Sequence, residues 1–279
     1  MSNDPVFHTD VGEAHRDQCL ATFAALNLPL STPIHLKARS CAISDLLAEA
    51  VANFDLHEKE PAWTAMAFAK YLPPKKEWVN RFRERTTFSQ MAHLLLNLDP
   101  NTQSCAGTHI FQALAKIDQA DRRYSILDNE TRKQLDAYLT ATLRQVAQRQ
   151  QADGSWNKRW RDSINADETG PTMPLEFRIL VTGHLLELLN SLDAQRRLLN
   201  AVYARAAEWL QQTLNSKEIR SDSSLLCPFT HAARAAREIL VSSRTNRTSV
   251  AILSTSRSSG VGLGETHQGD KQNNKNNKL

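Results

Sequence analysis

Two copies of one short pattern carry the residue types in this chain that are best suited to chemistry. They read Cys105-Ala-Gly-Thr-His109 and Cys227-Pro-Phe-Thr-His231, and Thr182-Gly-His184 repeats the last part between them. A thiolate and an imidazole four residues apart can share one soft metal ion, and a neutral histidine can act as a base beside a cavity. These three segments are therefore the chain's best pointer to a functional site.

The expected helix starts predict the protonation state of these histidines. If Thr108 and Thr230 are N-caps, His109 and His231 occupy first helical positions, where free backbone N–H groups and the helix dipole disfavour imidazolium. Neutral imidazole is the form that binds metal or accepts a proton. We predict that the three histidines line one cavity mouth within about 10 Å of one another. The catalytic candidates are His109, His184 and His231, and the candidate ligands for a metal ion such as zinc are Cys105, His109, Cys227 and His231.

Other interpretations of the same residues stay open. A Thr-His pair can be a cap followed by a histidine bonded to a backbone carbonyl, and a buried free cysteine is an ordinary apolar filler. Trp63 and Glu60 are further ligand-binding candidates beside the histidines and cysteines. Trp63 lies on an apolar stripe, which favours a core position, and glycoside chemistry would require a second carboxylate near Glu60.

Helical periodicity dominates the chain before about residue 243, and no segment predicts a strand. Thr87 is predicted to cap one helix, and Asp128 or Asn129 to cap a long helix that reaches about residue 151. Later helices are predicted at about residues 175–192, 194–214 and from Thr230 onward. Short connections indicate antiparallel hairpins, so we expect an all-α fold.

Charge and composition divide the chain. Residues 244–279 contain six basic and two acidic side chains, which accounts for the whole net charge of +4. The neutral remainder argues against a nucleic-acid surface, because such affinity comes from clustered positive charge. The tail is rich in Ser, Asn, Gly and Gln, so we predict disorder there. The predicted organisation is an extension at 1–11, a helical domain at 12–243 and a tail at 244–279.

The chain shows no signal for export or membrane insertion. Its first residues lack a basic segment followed by an apolar one, and its apolar runs are too short to span a bilayer. The four cysteines are then expected to be free thiols or ligands. These features predict a cytoplasmic protein without a membrane span.

One segment suggests a family. The residues Gln150-Gln-Ala-Asp-Gly-Ser-Trp156, with Trp160 close behind, resemble the Gln-x-x-x-Gly-x-Trp element of the terpenoid cyclase and protein prenyltransferase superfamily. Gln150 can hydrogen-bond backbone in the next turn, Gly154 permits a tight reversal, and Trp156 can pack over both. The resemblance implies helical hairpins arranged in a partial or complete α/α toroid.

The family's chemistry does not follow from the resemblance. Neither the Asp-x-Asp-Asp acid motif nor the magnesium-binding Asp-Asp-x-x-Asp motif of these cyclases occurs in the chain. We therefore predict a protein that binds a small molecule or peptide in a central cavity. The alternative is a divergent lyase, hydrolase or transferase that uses the histidine and cysteine site, with zinc as a cofactor. A third possibility is an interaction module with a filled centre and a partner on its outer helices.

Overall fold

The computed structural model describes residues 15–35, 40–58, 60–157, 159–161, 174–192, 200–216 and 230–236. Most of them are helical, which confirms the all-α prediction at a coarse level. Residues 230–236 are also helical, and two 3₁₀ turns, Pro100–Thr102 and Ser104–Gly107, precede α5. The other helices are α1 (Gln18–Ala25), α2 (Ile43–Asn53), α3 (Ala62–Tyr71), α4 (Phe88–Asn97), α5 (Thr108–Tyr124), α6 (Asn129–Gln148), α7 (Leu175–Ser191) and α8 (Asn200–Asn215).

Two short antiparallel hairpins correct the prediction that the chain has no strands. Strand β1 (Pro33–His35) pairs with β2 (Ser40–Ala42), and β3 (Glu77–Val79) pairs with β4 (Arg85–Thr87). Each strand has three residues, which is too short for an alternating pattern to stand out in the sequence. Each hairpin leads directly into a helix, β2 into α2 and β4 into α4.

The helices pack around α5. Helices α1, α3, α5 and α7 contact one another in that order. Helix α2 packs against α1 and α3, α4 and α6 pack against α5 and each other, and α8 packs against α7. Helix α5 therefore contacts four other helices, and 12 of its 17 residues are buried.

The segment 230–236 continues this packing beyond α7. A Cβ atom at Gly183 would lie 2.9 Å from the backbone nitrogen of Ala232, which is closer than ordinary contact. Glycine at this position lets the two backbones approach. His231 and His184 are brought together by this close approach.

The predicted helix starts are partly correct. Thr87 accepts a hydrogen bond from the backbone N–H of Gln90, and Asp128 accepts one from that of Thr131, so both caps are confirmed. The Thr108 prediction is wrong because Gly107 occupies the N-cap and Thr108 is already helical. Thr230 is also helical rather than a cap.

The Gln150–Trp156 segment is a turn that joins three helices, and its last three residues are buried. The Gln150 side-chain amide donates to the carbonyls of Gly154 (2.8 Å) and Val202 (2.7 Å), which ties the turn to α8. Gly154 has φ +97°, and a Cβ atom there would lie 2.5 Å from the carbonyl oxygen of Arg205. Glycine is therefore required both by the backbone conformation and by the approach of α8.

Trp156 occupies the centre of this turn and is fully buried, as predicted. Its indole N–H donates to the carbonyl of Val146 at 2.8 Å, and its backbone N–H donates to the Thr182 hydroxyl at 3.0 Å. The ring therefore links the end of α6 to α7. Hereafter the residues Gln150, Gly154, Trp156 and Thr182 are called the clasp.

The predicted termini lie outside the described residues. All described residues belong to the first of the chain's two units, Met1–Ile239. Neither the extension at 1–11 nor the tail at 244–279 is among them. Among the helices that the structure describes, none combines the length and apolarity needed to cross a membrane.

Candidate metal centre

Three histidine rings meet where α5, α7 and the segment 230–236 approach one another. The ring centroids of His109 and His184 are 4.7 Å apart, those of His184 and His231 are 3.7 Å apart, and those of His109 and His231 are 6.4 Å apart. The predicted proximity is confirmed. The reason differs for His184, which lies in the middle of α7 and not at a helix start.

A left-handed turn places Cys105 beside these rings. Cys105, Ala106 and Gly107 have φ values of 53°, 55° and 70°. Two non-glycine residues in this region cost about 1–3 kcal/mol each, so the surrounding structure must hold them there. The Trp160 indole N–H donates to the Ala106 carbonyl at 3.1 Å, and the Thr108 hydroxyl donates to the Cys105 carbonyl at 2.8 Å.

Cys105, His109 and His184 form a first donor group. One ligand atom from each residue lies within 4.8 Å of those of the other two. The Nε2 atoms of His109 and His184 are buried and have no hydrogen-bond partner within the described part of the chain. An imidazole nitrogen in that position carries a desolvation cost that no group among the described residues offsets.

Glu187 joins His184 and His231 in a second donor group. The ligand atoms of these three residues also lie within 4.8 Å of one another. Glu187 Oε2 is 3.6 Å from His184 Nδ1 and 3.3 Å from His231 Nδ1. The other carboxylate oxygen is 3.5 Å from the Arg234 guanidinium, and the Gln112 amide donates to the His184 carbonyl at 3.1 Å.

Burial keeps His109 and His184, the two histidines of the first donor group, neutral. It lowers the pKa of His184 from its ordinary value of 6.5 to about 4. Burial, reinforced by the neighbouring imidazoles, lowers the pKa of His109 well below 6.5. The predicted neutral state is therefore supported, although its main cause is desolvation and not the helix dipole that the sequence suggested.

Glu187 stays ionised despite its burial. Burial alone would raise its pKa, but hydrogen bonding to His184 and His231 outweighs that effect and lowers the pKa to about 2. The cluster thus combines the neutral imidazoles of His109 and His184 with the His231 ring, a thiol and one carboxylate. This set of donors is chemically suited to a transition-metal ion.

Glu60 and Trp63 lie beside the cluster together with His15. The Trp63 ring centroid is 4.4 Å from that of His109 and 5.9 Å from that of His15. His15 Nδ1 is 2.6 Å from one Glu60 oxygen, and the Ser104 hydroxyl donates to the other. Burial would raise the pKa of Glu60, but these hydrogen bonds lower it. Trp63 is also buried, as its core interpretation predicted.

Sequence reasoning missed two residues of this region and named one that cannot be placed. Glu187 follows His184 by three residues on one helix, a spacing that puts both on one face and could have indicated it. His15 gave no signal, because only folding brings the start of α1 to α3 and α5. Cys227 lies outside the described residues.

Comparisons of the chain with protein-family models, curated proteins and solved structures found no match.

Proposed function

We propose that this protein binds a transition-metal ion of the zinc type through Cys105, His109 and His184. The observation that carries the proposal is the pair of buried Nε2 atoms on His109 and His184, which lack a hydrogen-bond partner among the described residues. These two histidines form a group with Cys105 in which one ligand atom from each residue lies within 4.8 Å of those of the other two. A bound cation would satisfy both nitrogens at once.

The ligand types in the first donor group indicate which kind of metal ion the site prefers. Thiolate and imidazole are softer ligands than the carboxylate and carbonyl oxygens that magnesium and calcium prefer, so zinc is favoured over either. Three protein ligands leave one position of a tetrahedral ion for a small molecule or water. We infer that this position is where the protein binds its ligand.

The backbone around Cys105 supports a functional role for the thiol. Cys105 and Ala106 adopt left-handed conformations that other non-glycine residues rarely occupy. An ordinary helix start would avoid this cost, whereas the left-handed turn brings the thiol to the two histidines. Local strain of this kind is concentrated at functional sites.

The family resemblance adds a proposal about architecture. In this proposal α1, α3, α5 and α7 form the inner layer of a partial α/α toroid, and α2, α4, α6 and α8 form the outer layer. The alternation of contacts between the layers and the hydrogen-bonded clasp support it. The ligand, a small molecule or a peptide, would then enter from the side of the inner layer that carries the histidines.

A catalytic role is the second candidate, and one observation favours it. The His15–Glu60 pair, next to Trp63, has the arrangement of an imidazole oriented by a carboxylate, which is common in acid–base sites. His15 lies 5.8 Å from His109 between ring centroids. A hydrolase, lyase or transferase reaction at the metal would use such a pair.

Metal affinity tests the proposal directly. Metal-free protein is titrated with zinc in competition with a chromophoric chelator, and the wild type is compared with C105S and H109A. Both variants should bind the first zinc at least about 100-fold more weakly, because each removes a direct ligand. The matched control is H35A, since His35 is exposed in β1 and bonded only to Ser40. Wild-type affinity in H109A, or no zinc binding at all, would overturn the proposal.

A further inference from the structure

The two ring nitrogens of His184 serve different groups of donors. His184 belongs both to the group with Cys105 and His109 and to the group with Glu187 and His231. Its Nδ1 atom faces Glu187 at 3.6 Å, while its buried Nε2 atom has no partner among the described residues. An imidazole ring has two nitrogens on different sides, so the two groups can correspond to two separate ion positions.

We propose that the centre holds two metal ions bridged by His184. The first ion is bound by Cys105, His109 and His184 Nε2, and the second by His184 Nδ1, Glu187 and His231. This inference rests on the proposed function, which assigns the first ion. The second metal position is not part of that proposed function.

The distances between Glu187 and its two histidine neighbours support a second metal position. Ligands of a tetrahedral zinc ion with bonds of about 2.0–2.1 Å are separated by about 3.3–3.4 Å from one another. Glu187 Oε2 lies 3.3 Å from His231 Nδ1 and 3.6 Å from His184 Nδ1. The observed spacing is therefore compatible with a shared ion, which would replace the hydrogen bonds that Glu187 makes to the two histidines.

The surrounding charges are consistent with this arrangement. Glu187 binds the second ion through Oε2, and its Oε1 atom faces the Arg234 guanidinium at 3.5 Å. Arg234 thus orients the carboxylate, although its positive charge opposes the ion. The Cys105 thiolate, the Glu187 carboxylate and the deprotonated His184 ring together offset most of the charge of two divalent ions.

Binding of the second ion has a definite proton balance. A neutral imidazole has one N–H group and one lone pair, so it can bind only one ion. When the second ion binds, the remaining His184 N–H bond breaks and its proton passes to solvent. Both electron pairs of the ring then coordinate metal, and no electron is transferred.

Zinc stoichiometry of the full chain tests the proposal. Metal-free protein is saturated with zinc at neutral pH, unbound metal is removed by gel filtration, and metal per chain is measured by mass spectrometry. The wild type should retain two zinc ions. E187Q and H231Q should each retain one, C105S should retain one, and H184A should retain neither at wild-type affinity. The control is H93Q, because His93 is half-buried and bonded to Thr131, away from the centre.

The possible outcomes distinguish failure of the second metal position from failure of the proposed function. One zinc per wild-type chain, unaffected by E187Q and H231Q and lost in C105S, overturns the second position and leaves the proposed function standing. Retention of two ions in both E187Q and H231Q overturns the assignment of ligands. Absence of zinc from the wild type overturns both proposals. Circular dichroism of each variant confirms folding, and His231 provides a second test if E187Q does not fold.

Discussion

The clasp and the histidine cluster are two buried polar regions that share helix α7, and they differ in how their polar atoms are satisfied. In the clasp, the Trp156 indole and backbone N–H groups each have a protein acceptor at 2.8–3.0 Å. In the cluster, two residues farther along α7, the Nε2 atoms of His109 and His184 have none within the described residues. Folding strongly favours satisfied buried groups, so the satisfied clasp is a structural element, and the two unsatisfied nitrogens beside other potential metal ligands are the basis for proposing a ligand in the cluster.

The clasp also helps to hold the histidine cluster in place. Trp160 follows the clasp, is almost fully buried, and donates to the Ala106 carbonyl in the left-handed turn that carries Cys105. Thr182 of the clasp and His184 of the cluster stand on neighbouring positions of one helix. Stability gained in the clasp therefore offsets the cost of strain and desolvation in the cluster.

Substitution of Trp156 by alanine should have the largest effect on stability. Removal of a fully buried indole leaves a cavity and costs about 3–5 kcal/mol of unfolding free energy, measured by urea denaturation. The matched control is F82A, since the Phe82 side chain is 65 % exposed and its loss should change stability by less than about 0.5 kcal/mol. If W156A unfolds at the wild-type urea midpoint, the clasp is not the structural region described.

Loss of the Thr182 hydroxyl should have a moderate effect. T182V keeps the side-chain shape but leaves the buried Trp156 backbone N–H without an acceptor, which should cost about 1–3 kcal/mol. Thr140 is exposed on α6, so T140V is the control and should be nearly neutral. Equal stabilities of T182V and T140V would contradict the contrast between a saturated clasp and an unsaturated cluster.

Acidification should have the smallest effect on the metal-free wild type, because Glu58 offsets part of the contribution of the two buried histidines, His109 and His184. The folded pKa of His184 is about 4, below its ordinary value of 6.5, so its contribution to stability is present above pH 6.5 and lost as pH falls toward 4. Burial raises the pKa of Glu58 from 4.5 to about 7, so its contribution is present below pH 4.5 and lost as pH rises through 7.

The variant E58Q separates the two contributions. Without Glu58, stability should fall between pH 6.5 and 4.5 by about 2 kcal/mol more than in the wild type, as measured by urea denaturation at each pH. The matched control is E130Q, because Glu130 lies exposed in the first turn of α6. A parallel pH dependence in E58Q and the wild type would mean that Glu58 does not offset the histidines.

Local chemistry in the sequence predicted individual elements better than their assembly. The caps at Thr87 and Asp128 and the buried Trp156 follow from side chains acting on nearby backbone, so sequence spacing was enough to predict them. The Thr108 cap was wrong because the tight packing of Pro100 against Gly107 selects a left-handed turn there, which only the folded chain imposes.

The candidate site was also predictable only in part, because local sequence patterns identify individual residues but not their contacts. The repeated Cys-to-His spacing identified His109 and His231, and their proximity comes from the packing of α5, α7 and the segment 230–236. Glu187 could have been indicated by its spacing from His184, whereas His15 was missed because its role depends on contacts between different helices. Burial, which determines the neutral state of His184, is likewise a property of the assembled helices and not of any local pattern.

Zinc K-edge X-ray absorption of the protein loaded with one equivalent of zinc tests the central claim most directly. The proposed first position predicts one sulfur ligand at about 2.3 Å and two imidazole nitrogens at about 2.0–2.1 Å, with a further light atom at the open position. In C105S the sulfur shell should disappear. A wild-type spectrum without sulfur, or an unchanged sulfur shell in C105S, would contradict the assignment of Cys105, His109 and His184 as the metal site.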